Sequence, residues 1–280
     1  MSKIHVDALL AAYGLTTAKS LGQNFLNDTA ILEKITAAAC PARGLLEIGA
    51  GIGSLTGLLA ENAQKMVTVE IDQRLKPLLT AQVARENHSF LWQDILKTDL
   101  KKLAAGTLGG AMTIVGNLPY YITTDILMHL LRGLPAWEKA VLMVQKEVAQ
   151  RLLAAPGTKE YRAMTAITQS FCRMESLFDV PPHYFYPAPH VTSAVIRLTP
   201  RADAPKDRDA FIRLVESGFA ARRKIFASSP AAQGALKRDR AGIQALLKGA
   251  GLPENARAET FSPEDFKNLY ELAQNSKNFP

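Results

Sequence analysis

The stretch GLLEIGAGIGSLT, residues 44–56, decides how this chain reads. A leucine- and isoleucine-rich run ends at Ile48 and passes into glycines at every second position, Gly49, Gly51 and Gly53, before a helix-compatible segment, SLTGLLAEN. Glycines at a strand-to-helix turn let the backbone bend sharply and approach a ligand closely. Twenty-one residues after Gly49, at the end of the next strand-like run MVTVEI, stands Glu70, placed to accept hydrogen bonds from ribose hydroxyls. Turn and carboxylate together specify an adenosine-containing ligand. The dinucleotide fingerprint GxGxxG needs glycine at position 54, which is Ser54, so a nicotinamide cofactor is disfavoured. A GxGxG turn with no diphosphate to cradle suits S-adenosylmethionine better. Asp94, after the third strand in LWQDIL, is a candidate acceptor for the adenine amino group, although a strand-end Asp is as often a helix cap.

Outward from this motif the pattern alternates from about residue 28 to 200. The runs GLLEIG, MVTVEI, HSFLW, AMTIVGN and KAVLMV are separated by helical segments of roughly ten residues, the first opened by Asp28 as a cap. Short apolar strands punctuated by helices predict a parallel sheet covered on both faces. ESLFDV and VTSAVIRL, with a proline-rich loop and no long helix between them, predict an antiparallel closure. Beyond the polar linker RADAPKDRD, the segments DAFIRLVESGFAARRK, RAGIQALLKGA and SPEDFKNLYELAQ read as helices, the last with Ser262 as cap and Pro263 at its first position. The expected architecture is a doubly wound, Rossmann-like α/β domain over 1–203 and a small helical domain over 204–280.

The fourth strand ends in Gly116-Asn117-Leu118-Pro119-Tyr120-Tyr121, on the sheet edge where ligands sit in such folds. The amino nitrogen of adenine is a poor nucleophile because its lone pair is delocalised into the ring. Two acceptors, the Asn117 side-chain oxygen and the Leu118 carbonyl, suffice to take its two hydrogens and turn the lone pair towards a methyl sulfonium. Pro119 constrains the preceding carbonyl, and Tyr120 offers a face on which an extruded base stacks. The competing reading is an Asn-x-Pro turn with tyrosines packed in the core.

Composition narrows the setting. The chain has 280 residues, 48 % hydrophobic and 21 % charged, which favours a folded globule over disorder. No apolar run approaches the ~20 residues of a membrane helix, and the N-terminus does not read as a secretory signal, so a cytoplasmic location is expected. Two cysteines, Cys40 and Cys172, form no disulfide framework, and with five histidines lacking ligand spacing no metal site is expected. Lys and Arg number 33 against 26 Asp and Glu, a net +7 that favours a polyanionic partner. Between Phe219 and Arg240 six positive residues face one negative, and Arg222, Arg223 and Lys224 are candidate phosphate contacts; a solvated helix face is the alternative.

These segments, with LGQNFL (21–26), NLPYYI (117–122), MVQKEVAQRL (143–152), VPPHYFYPAPHVTSAVIRL (180–198), FAARRK (219–224) and RAETFSPEDF (257–266), resemble the KsgA-type small-subunit rRNA adenine N6,N6-dimethyltransferases over essentially the whole chain. The resemblance implies that Gln23, Asn24 and Leu26 cover the cofactor, that Gly49 lines its methionine part, Glu70 its ribose and Asp94 its adenine, and that Gly51, Ile71 and Ile95 also belong to the cofactor site. It implies Asn117 between methyl donor and target, and Phe185 facing Tyr120 across a flipped base. It further implies S-adenosylmethionine as donor, S-adenosylhomocysteine as product, and two adjacent adenosines near the 3′ end of 16S rRNA in an assembling 30S subunit as target. A monomer is expected. Ala50, where many members carry proline, and IFASSP after Lys224 depart from the family's pattern. Large-subunit rRNA adenine N6-methyltransferases share the GQNFL-like and asparagine-proline-tyrosine segments. An assembly factor acting mainly by RNA binding is the alternative of a different class.

Overall fold

A computed structural model describes residues 3–83, 85–134, 136–221 and 224–275. The chain divides into two compact units, one made of Met1–Ala149 and Met174–Pro200, the other of Gln150–Arg173 and Arg201–Pro280.

In the first unit, α1 (Val6–Ala12) and a two-residue strand β1 (Phe25–Leu26) precede α2 (Thr29–Ala39), whose Ile31 amide donates to the capping Asp28 carboxylate at 3.1 Å. Strands and helices then alternate as β2 (Ala42–Ile48), α3 (Ser54–Asn62), β3 (Ala63–Glu70), α4 (Lys76–Gln82), β4 (His88–Trp92), α5 (Leu100–Ala105), β5 (Met112–Asn117), α6 (Thr123–Gly133) and β6 (Trp137–Gln145). After α7 (Lys146–Leu152) and α8 (Ala163–Phe171) come β7 (Cys172–Val180), β8 (Phe185–Tyr186) and β9 (Ser193–Pro200). Seven strands form one sheet in the order β4-β3-β2-β5-β6-β9-β7, parallel from β4 to β6, with β9 antiparallel to β6. This is the doubly wound arrangement with an antiparallel closure. Leu45, Leu46, Val67, Ile114, Val115 and Leu142 are fully buried, as strands covered on both faces require.

Register puts the strand ends level: Ile48 pairs with Val69 and with Gly116, Glu70 with Trp92, and Asn117 with Met143. The chain leaves β2 towards β3 on one side, while β5 lies on the other, so the crevice between the ends of β2 and β5 is the topological switch point. The glycine turn and Asn117 flank it.

The helical unit adds α9 (Arg208–Phe219), α10 (Pro230–Leu236), α11 (Arg240–Gly249) and α12 (Pro263–Asn275) to α8. This division differs from the expected single boundary after residue 203: the helical unit takes in Gln150–Arg173 and resumes at Arg201. Packing explains why. Phe171 of α8 meets Phe211 of α9 edge-on at 5.6 Å, the buried Tyr161 hydroxyl donates to the Phe261 carbonyl at 2.8 Å, and the Gly157 amide donates to the Glu259 carbonyl at 2.7 Å. Lys267, 4 % exposed, has Asp203 and Glu264 as carboxylate partners, the latter at 2.9 Å. Helices α1, α5, α8 and α10 go beyond the elements that the sequence pattern predicts.

Candidate active site

A cleft at the switch point encloses about 1080 Å³ of atom-free space, its open mouth included. Gln23, Asn24, Leu26, Gly49, Gly51, Glu70, Ile71, Asp94, Ile95, Asn117, Leu118, Pro119 and Tyr120 all line it. Residues spread over nearly a hundred positions of sequence thus converge on one pocket.

The glycine turn is built around Glu70. One carboxylate oxygen, Oε2, accepts from the amides of Ala50 at 2.8 Å and Gly51 at 3.2 Å; the other accepts from the Asp72 amide at 2.8 Å. A carboxylate offers about four acceptor positions, so one remains for a ligand hydroxyl. Burial raises the Glu70 pKa above its ordinary value, with the three amide hydrogen bonds opposing that shift. Gly51 has φ +55, and a Cβ there would stand 2.9 Å from the Phe25 ring, so the strap carrying β1 lies directly on the turn.

That strap is fastened at several points. The Gln23 side chain accepts from the Ala18 amide at 2.7 Å and donates to Asp72 Oδ2 at 2.8 Å. Asp72 in turn is gripped by the Arg74 guanidinium at 2.8 and 2.6 Å, which holds its carboxyl below the ordinary pKa. Asn117 Nδ2 donates to the Asn24 carbonyl at 2.9 Å. Because the amide nitrogen is committed to the strap, Asn117 Oδ1 lies on the other branch of the planar amide, as its acceptor. The Leu118 amide donates to the Met143 carbonyl at 3.1 Å and fixes the chain as it leaves β5.

Asp94 satisfies both readings of its position: Oδ1 accepts from the Leu96 amide at 2.9 Å as a cap, and the residue still lines the cleft. The Tyr120 hydroxyl lies 2.7 Å from Ser193 Oγ, and burial raises its pKa, so the phenol stays protonated. Phe185 departs from expectation. It is 3 % exposed, pairs with Leu26 across β1 and β8, and packs in the core beside Leu32 and Val195 rather than lining the cleft. Side chains alternate along a strand, so Phe185 points inward and its neighbour Tyr186, 40 % exposed, points outward.

Lys224 is exposed in the helical unit, while Arg222 and Arg223 lie outside the described residues. Among the described residues no cluster of three His, Cys, Asp or Glu has metal-holding geometry, and no helix is long and apolar enough to cross a membrane. Sequence reasoning missed Phe25, Asp72, Ser193 and Tyr121. Nothing in NLPYYI by itself distinguishes Tyr121, and Phe25 lies within LGQNFL, the segment that forms the strap.

The fold has close counterparts among solved structures. A dimethyladenosine transferase from Plasmodium falciparum matches with a TM-score of 0.75 and 26 % identity, over 88 % of this chain and 95 % of that one. The 23S rRNA methyltransferase ErmE matches with a TM-score of 0.65 and 27 % identity, over 90 % and 100 %. Fold and cleft are those of a Rossmann-like methyltransferase. A family model described as ribosomal RNA adenine dimethylase matches residues 14–275. Two relatives, each called ribosomal RNA small subunit methyltransferase A, are 43 % identical over 271 residues (Ligilactobacillus salivarius; 94 % of this chain, 92 % of the relative) and 41 % identical over 264 residues (Clostridioides difficile; 92 % and 91 %). The chain belongs to the ribosomal RNA adenine dimethylase family.

Proposed function

We propose that this enzyme transfers methyl groups from S-adenosylmethionine to the exocyclic amino nitrogens of two adjacent adenosines near the 3′ end of 16S rRNA, giving N6,N6-dimethyladenosine. The observation that carries the reading is the hydrogen bond from Asn117 Nδ2 to the Asn24 carbonyl, which leaves Oδ1 as an acceptor at the switch point. The residues present suit an adenosine-bearing donor: a carboxylate with one acceptor position left, a glycine turn that tolerates close approach, and apolar walls at Ile71 and Ile95. Gln23, Asn24, Leu26, Gly49, Gly51, Glu70, Ile71, Asp94 and Ile95 would hold the donor. When bound, S-adenosylmethionine supplies a methyl group activated by its sulfonium.

The remaining work falls to the protein. Asn117 Oδ1 and the Leu118 carbonyl accept the two amino hydrogens of the target adenine and weaken conjugation of its lone pair with the ring. Tyr120 receives the extruded base on its ring, an arrangement that flipped bases commonly use. No general base is needed, since the nitrogen becomes acidic as it is alkylated and releases its proton to water.

Relatives 41–43 % identical carry the small-subunit name, against 27 % for the 23S enzyme, which supports the small-subunit target. A cytoplasmic monomer acting on an assembling 30S subunit is the setting consistent with that target. Charge supports a nucleic-acid partner: the first unit holds 15 Lys and Arg and 15 Asp and Glu, the helical unit 18 and 11, so the whole net +7 sits on the helical unit. Lys224, Arg222 and Arg223 are the phosphate contacts assigned there. Asn117→Ala should abolish methyl transfer while S-adenosylhomocysteine binds as before by calorimetry. Unchanged turnover on small-subunit particles would remove Asn117 from the chemistry.

A further inference from the structure

Tyr121 has no part in the transfer chemistry, yet it lines the cleft and is 58 % exposed, more than any other large apolar or aromatic side chain among the described residues. A Cβ at Gly22 would stand 3.3 and 3.4 Å from its Cδ1 and Cε1, and Gly22 has φ +61, so main chain without a side chain lies against that edge of the ring. An exposed aromatic ring held along one edge in a cleft offers its face to a nucleobase.

Its neighbour is in the opposite state. The Tyr120 hydroxyl is tied to Ser193, which is fully buried and sits at the start of β9. Both residues line the same cleft, and as consecutive members of one helical turn they present their side chains to different parts of it. The first unit carries no net charge, so a stacking contact, which needs no charge, is available there to hold a nucleotide beside the target.

We propose that Tyr121 is the stacking platform for the base that adjoins the target adenosine, so that the cleft recognises a dinucleotide and not a single base. This rests on the rRNA adenine methyltransferase reading and specifies its substrate: while one adenosine occupies the Tyr120 subsite, the adjacent one lies on Tyr121.

The test uses the full-length enzyme and small-subunit particles rebuilt with rRNA that is either intact or abasic at the nucleotide beside the target. Tyr121→Ala should raise KM for the intact particle about tenfold, the scale of one lost base–aromatic stack, with the affinity for S-adenosylhomocysteine unchanged. Tyr121→Phe should bind the particle as the parent does. The abasic particle should weaken the parent by a similar factor and Tyr121→Ala by little more. An unchanged KM for Tyr121→Ala, or an abasic penalty of the same size in both proteins, overturns the proposal. Loss of S-adenosylhomocysteine binding in Tyr121→Ala also overturns it, because the ring would then serve only to hold the strap at Gly22. If the parent itself methylates no rRNA adenosine, the functional reading has failed and this one with it.

Discussion

Tyr120 and Tyr121 adjoin in sequence but differ in environment: one ties its hydroxyl to Ser193, the other stands largely exposed. Tyr120 spends its phenol on Ser193 at 2.7 Å, which fixes the plane of its ring where the target base is expected. Removing that bond while keeping the ring, as in Tyr120→Phe, should lower kcat by about fivefold, the scale of one net hydrogen bond of about 1 kcal/mol. Tyr120→Ala should cost far more, and equal losses in single-turnover assays would argue against a role for the ring face. Glu47 makes a second residue-scale case. It is 1 % exposed, its Oε2 accepts from the Thr68 hydroxyl at 2.8 Å, and burial pushes its pKa up to about 8. A carboxyl that binds its proton more tightly when folded contributes stability that is fully present below the ordinary value near 4.5 and is lost as pH rises to about 8. Glu47→Gln should therefore flatten the fall of the melting temperature between pH 5 and pH 8. A parent and variant whose melting temperatures run parallel over that range would show that Glu47 is ionised when folded.

At the scale of elements, the strap from Leu21 to Leu26 and the turn from Gly49 to Gly53 act as one device. The Phe25 ring lies 2.9 Å from where a Cβ on Gly51 would stand, Gln23 reaches Asp72, and the Asn24 carbonyl orients Asn117. Gly51→Ala imposes a left-handed backbone on alanine, a cost of about 1–2 kcal/mol, and also pushes against the Phe25 ring. The expected outcome is a loss of roughly tenfold or more in S-adenosylhomocysteine affinity, read by calorimetry, and unaltered affinity would mean that strap and turn are not coupled. The turn was legible from sequence because alternate glycines between a strand and a helix have few other uses. The strap was legible only as a family likeness, since nothing in LGQNFL taken alone says which residues it will touch.

For the molecule as a whole, the distribution of charge sets how it meets a polyanion. The first unit is balanced and the helical unit carries the excess, including Arg151, Lys159, Arg162 and Arg173 from the segment that leaves the α/β unit. Reversing Arg222, Arg223 and Lys224 together should weaken binding to small-subunit particles and reduce the slope of log affinity against log salt by about two to three, given roughly 0.7–0.9 per phosphate contact. A slope equal to the parent's would return these three residues to a solvated surface.

The sequence by itself determined the sheet class, the glycine turn, Glu70 and the Asn117–Tyr120 segment, because those depend on local backbone chemistry and on the periodicity of apolar residues along each strand. Only the tertiary structure decided that Phe185 faces the core, that Tyr121 faces the cleft mouth, and that residues 150–173 belong with the helices at the end of the chain. The physical reason is common to all three. Which way a side chain points in a two-residue strand or a short loop, and which core a helix joins, follow from partners far away in sequence: β1 for Phe185, Gly22 for Tyr121, and α9 with Phe261 for the α8 segment.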